Sequence, residues 1–167
     1  SYEEFCQVAK LSAEMGIRAY LGPCYMSGLS YMKENGDIAQ YYDEARGISG
    51  LKEAIRFIAD FDRSSGGRIR GFLAPDRIET QTEEVLRRTA DAANELDVPV
   101  RLHCCQSIYE FNTVMDRTGK TPYEWLNSLN LLTSRMVLPH GIYLSGRPDV
   151  NEGIGDDLDL LRRSGAS

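Results

Sequence analysis

Extended and helical hydrophobic patterns alternate along this chain from end to end, which confines it to an α/β architecture built on a parallel sheet. Parallel neighbours require a long crossover, and a helix normally supplies it. Phe5, Val8, Ala9 and Met15 recur at helical spacing between Tyr2 and Met15, and Gly16 stops the pattern as a C-terminal glycine does. Ile17 to Pro23 reads as a short strand. Cys24 to Gly50 is polar, glycine-bearing and too long for an ordinary connection, so it is expected to be a functional loop or a loop holding a small helix. Leu51, Ala54, Ile55, Ile58 and Ala59 mark an amphipathic helix, closed by Ser64-Ser65-Gly66-Gly67.

The strand Arg68 to Leu73 precedes a helix from Thr80 to Asp97, opened by Thr80 with Glu83 three residues on. Asp97-Val98-Pro99 then turns the chain into the strand Val100 to His103. Ser107 to Arg117 is helical. Thr121-Pro122-Tyr123-Glu124 combines an N-cap, a first-position proline and a capping-box glutamate, which predicts a helix with Trp125, Leu126 and Leu129 facing inward. Arg135 to His140 is the fourth strand. The last helix is expected to start near Asp149, with Glu152 in its first turn, and to run through Ile154, Leu158 and Leu161 to Ser164-Gly165. The order is one helix and then four strand-and-helix units in a single domain over residues 1–167.

The formal net charge of -6 and the scattered arginine pairs Arg87-Arg88 and Arg162-Arg163 provide no basic face for nucleic acid. No stretch approaches the roughly 20 apolar residues that cross a bilayer, and Ser1-Tyr2-Glu3-Glu4 is acidic where a signal peptide is basic. The cysteines Cys6, Cys24, Cys104 and Cys105 have no disulfide-framework spacing. Reduced thiols, a cytoplasmic location and no membrane partner are the expectations. Because the chain starts without Met inside a helical pattern, it is also expected to be an internal piece of a longer protein.

Only two histidines occur, and each ends a predicted strand: Val100-Arg101-Leu102-His103 and Met136-Val137-Leu138-Pro139-His140. Ligands of parallel α/β folds gather beyond the carboxyl ends of the strands. Imidazole is the commonest protein metal ligand, so His103 and His140 are candidates to share one ion. The alternative from spacing alone is two structural histidines, each hydrogen-bonded near a strand end.

Val98-Pro99-Val100-Arg101-Leu102-His103, Gly119-Lys120-Thr121-Pro122, and Met136 through Pro139-His140-Gly141-Ile142-Tyr143-Leu144-Ser145 together resemble the middle of the amidohydrolase superfamily. The resemblance is to its guanine/cytosine deaminase and triazine chlorohydrolase branch, which reads H-x-x-E, then G-K-T-P, then a strand ending in histidine. It implies a partial (β/α)₈ TIM-type barrel of about four βα units. It also implies zinc or iron held in the complete protein by His103, His140 and groups outside this chain, which has no H-x-H pair and no eighth strand. A metal-activated water would then hydrolyse a non-peptide C–N or C–Cl bond of a nitrogen heterocycle. A whole barrel takes roughly 250 residues, so the chain by itself is expected to lack activity and its full set of metal ligands.

Two departures bear on catalysis. The family's proton-shuttling glutamate is matched by Gln106, an amide that cannot exchange a proton near neutral pH and is left to orient substrate. Tyr143 stands where many members have a further histidine, and as a phenol it is a hydrogen-bond donor rather than a base. Cys105, two residues beyond His103, is a remote candidate ligand. Tyr25, Tyr31, Tyr41 and Tyr42 can stack on a flat heterocycle or cover the barrel rim. Asp76, after the Arg68 to Leu73 strand, is a weak candidate for contacting the small-molecule substrate, with Tyr25.

With Gln106 in the shuttle position, a non-catalytic, metal-independent binding or scaffold domain is the alternative reading. A flavodoxin-like domain fits poorly, because Ser64-Ser65-Gly66-Gly67 precedes a strand instead of following one. Half a barrel has open strand edges, here near Arg18 and Met136, so a homo-oligomer is expected.

Overall fold

In the computed structural model, which describes residues 1–147, 150 and 155–167, the first helix starts where its capping chemistry dictates. Ser1 accepts from the backbone N–H of Glu4 while the Glu4 carboxylate bonds back to Ser1, fixing α1 (Tyr2–Glu14). A first strand path follows in two short pieces, β1 (Ala19–Leu21) and β2 (Cys24–Tyr25). The second path is likewise β5 (Ile69–Gly71) and β6 (Ala74–Pro75), parallel to the first, with Ala19 opposite Ile69 and Cys24 opposite Ala74. β7 (Val100–Arg101) and β8 (Met136–Val137) are parallel neighbours. Single bridges from Leu73 to Val100 and from Arg77 to His103 connect the second path to β7. The strand paths therefore lie side by side in chain order.

The Cys24 to Gly50 segment is not a loop. It forms an antiparallel hairpin of β3 (Gly28–Met32) and β4 (Ile38–Tyr42), followed by α2 (Glu44–Phe61), which starts seven residues before the expected Leu51. Asn35-Gly36 in the tight turn, with Gly36 at φ +87°, is the local signal for this hairpin. Gly47 and Gly50 were read as loop residues, yet they let α2 lie against the first strand path. A Cβ on Gly47 would sit 2.1 Å from Ser27 Oγ, and one on Gly50 2.5 Å from Tyr25 Cβ.

After the left-handed turn α3 (Ser64–Gly67), the third long helix is α4 (Glu83–Leu96), capped by Thr82. The cap lies two residues beyond the expected Thr80: Ile78–Thr80 is a 3₁₀ helix, and the Thr80 hydroxyl donates to Arg77 O at 2.7 Å. α5 (Ile108–Thr118) and α6 (Pro122–Ser128) match the expectation, and Thr121 and Glu124 form the capping box. The last helix is α7 (Asp157–Ser164), capped by Asp156. The expected start at Asp149, with Glu152 and Ile154, lies outside the described residues.

The core fills the space between the helices and one face of the sheet, with Leu73, Ile78, Leu86, Val100, Leu102, Trp125, Leu126 and Met136 almost fully buried. The other sheet face stays open: Tyr20 and Val137 are 57% and 43% exposed and share an apolar cleft with Phe72, Pro99 and Arg101. A parallel sheet normally has both faces covered. The edge expected to be free at Met136 is partly occupied, because Ser167 N donates to Met136 O at 3.1 Å and Leu138 N to Ser167 O at 2.6 Å. No helix among the described residues is long and apolar enough to cross a membrane.

Candidate functional site

The two histidines meet. His103 Nδ1 and His140 Nε2 are 2.9 Å apart, with ring centroids 5.0 Å apart. His103 arrives by regular alternation, on the same side of its strand as Arg101. His140 does not, since strict alternation would send it with Met136 and Leu138, away from Val137. Its backbone is left-handed, φ +89°, and the kink after Pro139 turns the ring back toward His103.

Backbone bonds hold the two turns together. Cys104 N donates to Pro139 O at 3.3 Å, and Gly141 N to Cys104 O at 3.1 Å. Cys105 O accepts from Ile142 N at 2.9 Å and Tyr143 N at 3.1 Å. Cys105 is itself left-handed, φ +59°, and fully buried, with its sulfur 3.7 Å from that of Cys104. Its thiol is thus spent on packing.

Arg101 Nη2 lies 2.5 Å from His103 Nε2 and donates to it. Nε2 is then the acceptor, and the proton of the neutral ring sits on Nδ1, facing His140. Burial, then Arg101 and His140, holds the His103 pKa below its ordinary value. An uncharged imidazole is the form that ligates metals. The convergent nitrogens fit a cation shared by His103 and His140, with one condition: ligation through Nδ1 of His103 moves its proton to Nε2, and the half-exposed Arg101 must swing aside. The described residues contain no cluster of three or more His, Cys, Asp or Glu arranged for a metal, so any further ligands lie outside that set.

The other expected residues are spread around this pair. Asp76 is its strand neighbour: His103 N donates to Asp76 O at 3.1 Å, and the Asp76 carboxylate is 3.5 Å from Arg77 Nε. The Gln106 side chain is exposed. Tyr143 is half-buried and packs against the core. Tyr25 is a core residue, 3% exposed, with its hydroxyl 2.9 Å from Thr89 Oγ1 on α4, so it is turned away from the open strand ends. Tyr31 and Tyr41 are exposed on the hairpin, while Tyr42 donates to Glu79 O at 2.7 Å under the Arg117 guanidinium.

Three charged groups escaped the sequence reading. Arg101 was visible as a strand residue two before His103, without any sign of its contact. Glu79 and Glu110 are 3% and 2% exposed. Burial raises the pKa of both, and burial together with the negative Glu79 brings Glu110 to about 7 against the pull of the Gln106 and Cys105 N–H groups. Helical patterning gives no warning of a buried glutamate.

No family model matches the chain. It is 28% identical over 99% of its length to 5-methylthioadenosine/S-adenosylhomocysteine deaminase of Halobacterium salinarum, and covers 34% of that protein. Among solved structures it superposes on guanine deaminase from C. acetobutylicum with bound guanine, at TM-score 0.76 and 15% identity over 99% of this chain and 36% of that one. A zinc-bound adenosine deaminase from Xanthomonas campestris gives TM-score 0.70 at 18% identity, over 95% of this chain and 31% of that one. The chain spans about a third of the length of the relatives it matches. Four parallel strand paths in chain order, helices on one face and an uncovered inner face are those of a partial (β/α)₈ barrel, and the resemblance to the amidohydrolase superfamily extends to deaminases aligned along nearly the whole of this chain.

Proposed function

We propose that the whole protein is a metal-dependent hydrolase that removes an amine from a nitrogen heterocycle, with an adenosine-like nucleoside as the substrate class, and that residues 1–167 form one part-barrel domain of it. The observation that carries this reading is the 2.9 Å convergence of His103 Nδ1 and His140 Nε2 at the carboxyl ends of neighbouring parallel strands. Deaminases of 5-methylthioadenosine, S-adenosylhomocysteine and 5'-deoxyadenosine among the sequence relatives support the substrate class.

His103 and His140 would hold zinc or iron, and a bound divalent ion supplies a water acidic enough to ionise at a pH of about 7. Asp76, beside His103 on the neighbouring strand path, would take a polar group of the substrate. Gln106 would orient substrate through its amide, and Tyr143 is a candidate donor to developing negative charge. Neither supplies a base at neutral pH, so the proton shuttle is another group.

The test is ammonia release from adenosine-type nucleosides by the whole protein, with metal content measured alongside. His103→Ala and His140→Ala are each expected to lower bound metal and cut turnover by a hundredfold or more, an order set by loss of a first ligand. Turnover that persists in a protein without stoichiometric metal would end this reading in favour of a metal-independent relative.

A further inference from the structure

Nothing proposed above uses Glu110, although its carboxylate is buried directly behind the histidine-bearing turns. It occupies the third position of α5, whose N-cap Ser107 accepts from Glu110 N at 3.2 Å. In an ordinary capping box its side chain would return to Ser107 N. It reaches further back: one oxygen accepts from Cys105 N, and the other accepts from Gln106 N at 3.1 Å.

Those two N–H groups belong to consecutive peptide units, and the carbonyls of the same units point at the second turn. The Cys104–Cys105 unit donates to Glu110 and accepts from Gly141 N; the Cys105–Gln106 unit donates to Glu110 and accepts from Ile142 N and Tyr143 N. The carboxylate therefore fixes two peptide planes that in turn hold residues 141–143, immediately after His140. Hydrogen bonds in such chains polarise and strengthen one another. Cys105 between them sits in a left-handed conformation that a non-glycine residue adopts only under constraint.

We propose that Glu110 is the positioning residue of the histidine pair: by clamping the two peptide units after His103 it sets the His140 turn and brings the imidazoles into register. The inference concerns the same pair as the proposed metal site, but it rests on that reading only where zinc is the readout.

The test uses the chain labelled with ¹⁵N, comparing wild type with Glu110→Gln and Glu110→Ala. Glutamine keeps the shape but offers one acceptor oxygen, so one of the two clamped N–H groups faces an NH₂ donor. Both variants are expected to shift the imidazole nitrogen resonances of His103 and His140, and Glu110→Gln is expected to weaken zinc binding about tenfold or more, as loss of a group that orients ligands does. Thr89→Val, which removes the remote Tyr25 hydroxyl contact, is the control: it lowers thermal stability and leaves both readouts in place. Imidazole resonances of a folded Glu110→Gln protein that coincide with wild type would overturn the inference. If the wild-type chain binds no zinc, as two histidines without the ligands outside this chain would give, the metal reading is unaffected and the resonances alone decide the role of Glu110.

Discussion

Arg101 and Glu110 show how single side chains set the state of the pair. The Arg101 guanidinium, donating to His103 Nε2, competes with ligation and adds like charge beside a cation. Arg101→Met is therefore expected to tighten zinc binding by about tenfold, measured by competition with a chromophoric chelator, the order of one close charge removed from a part-buried site. Unchanged affinity would mean that Arg101 does not control the tautomer. Glu110 gives a pH signature of definite sign. Its pKa rises from 4.5 to about 7 on folding, so between these values the folded chain holds a proton that the unfolded chain has released. Its contribution is present below pH 4.5 and is lost as pH rises through about 7, by up to about 3 kcal/mol. Urea unfolding at pH 5 and pH 8 reads this loss, and Glu110→Gln should flatten it.

At the scale of elements, the stretch matching the family's G-K-T-P and the later Leu144-Ser145 step turn out to share one partner. Asp157, fully buried at the start of α7, accepts from the Thr121 hydroxyl at 2.6 Å and from Ser145 N at 2.8 Å. The Asp157 N–H donates back to Ser145 Oγ at 3.2 Å. One carboxylate thus ties the cap of α6, the segment after β8 and α7 together. Asp157→Ala leaves a buried hydroxyl and a buried N–H without their acceptor, and is expected to cost about 3 kcal/mol by chemical denaturation. A loss below about 1 kcal/mol would show that the three elements are held by apolar packing alone.

For the whole molecule, the decisive feature is a sheet covered by helices on one face only. Tyr20, Phe72 and Val137 line the inner face that a closed barrel buries, and β1 has no strand partner on its outer edge among the described residues. Exposed apolar faces and strand edges drive association. Light scattering of the 167-residue chain is expected to give dimers or larger species, reduced by Val137→Lys, and a monodisperse monomer at high concentration would count against it. The Ser167 pairing on β8 leaves the β1 side as the more open edge.

By itself, the sequence determined the parallel α/β class, through patterns whose period is set by local backbone geometry and is visible in any short window. It also located the start of α6 to the residue, because Thr121, Pro122 and Glu124 act within one helical turn. The placement of both histidines at strand ends was legible for the same reason. Tertiary structure decided what distant groups do to one another. The left-handed turn at His140, the close approach of α2 allowed by Gly47 and Gly50, and the reach of Glu110 to the peptide units after His103 all depend on neighbours far along the chain. A hydrogen bond or steric contact between separated segments leaves no periodic trace, so only the packed fold reveals it.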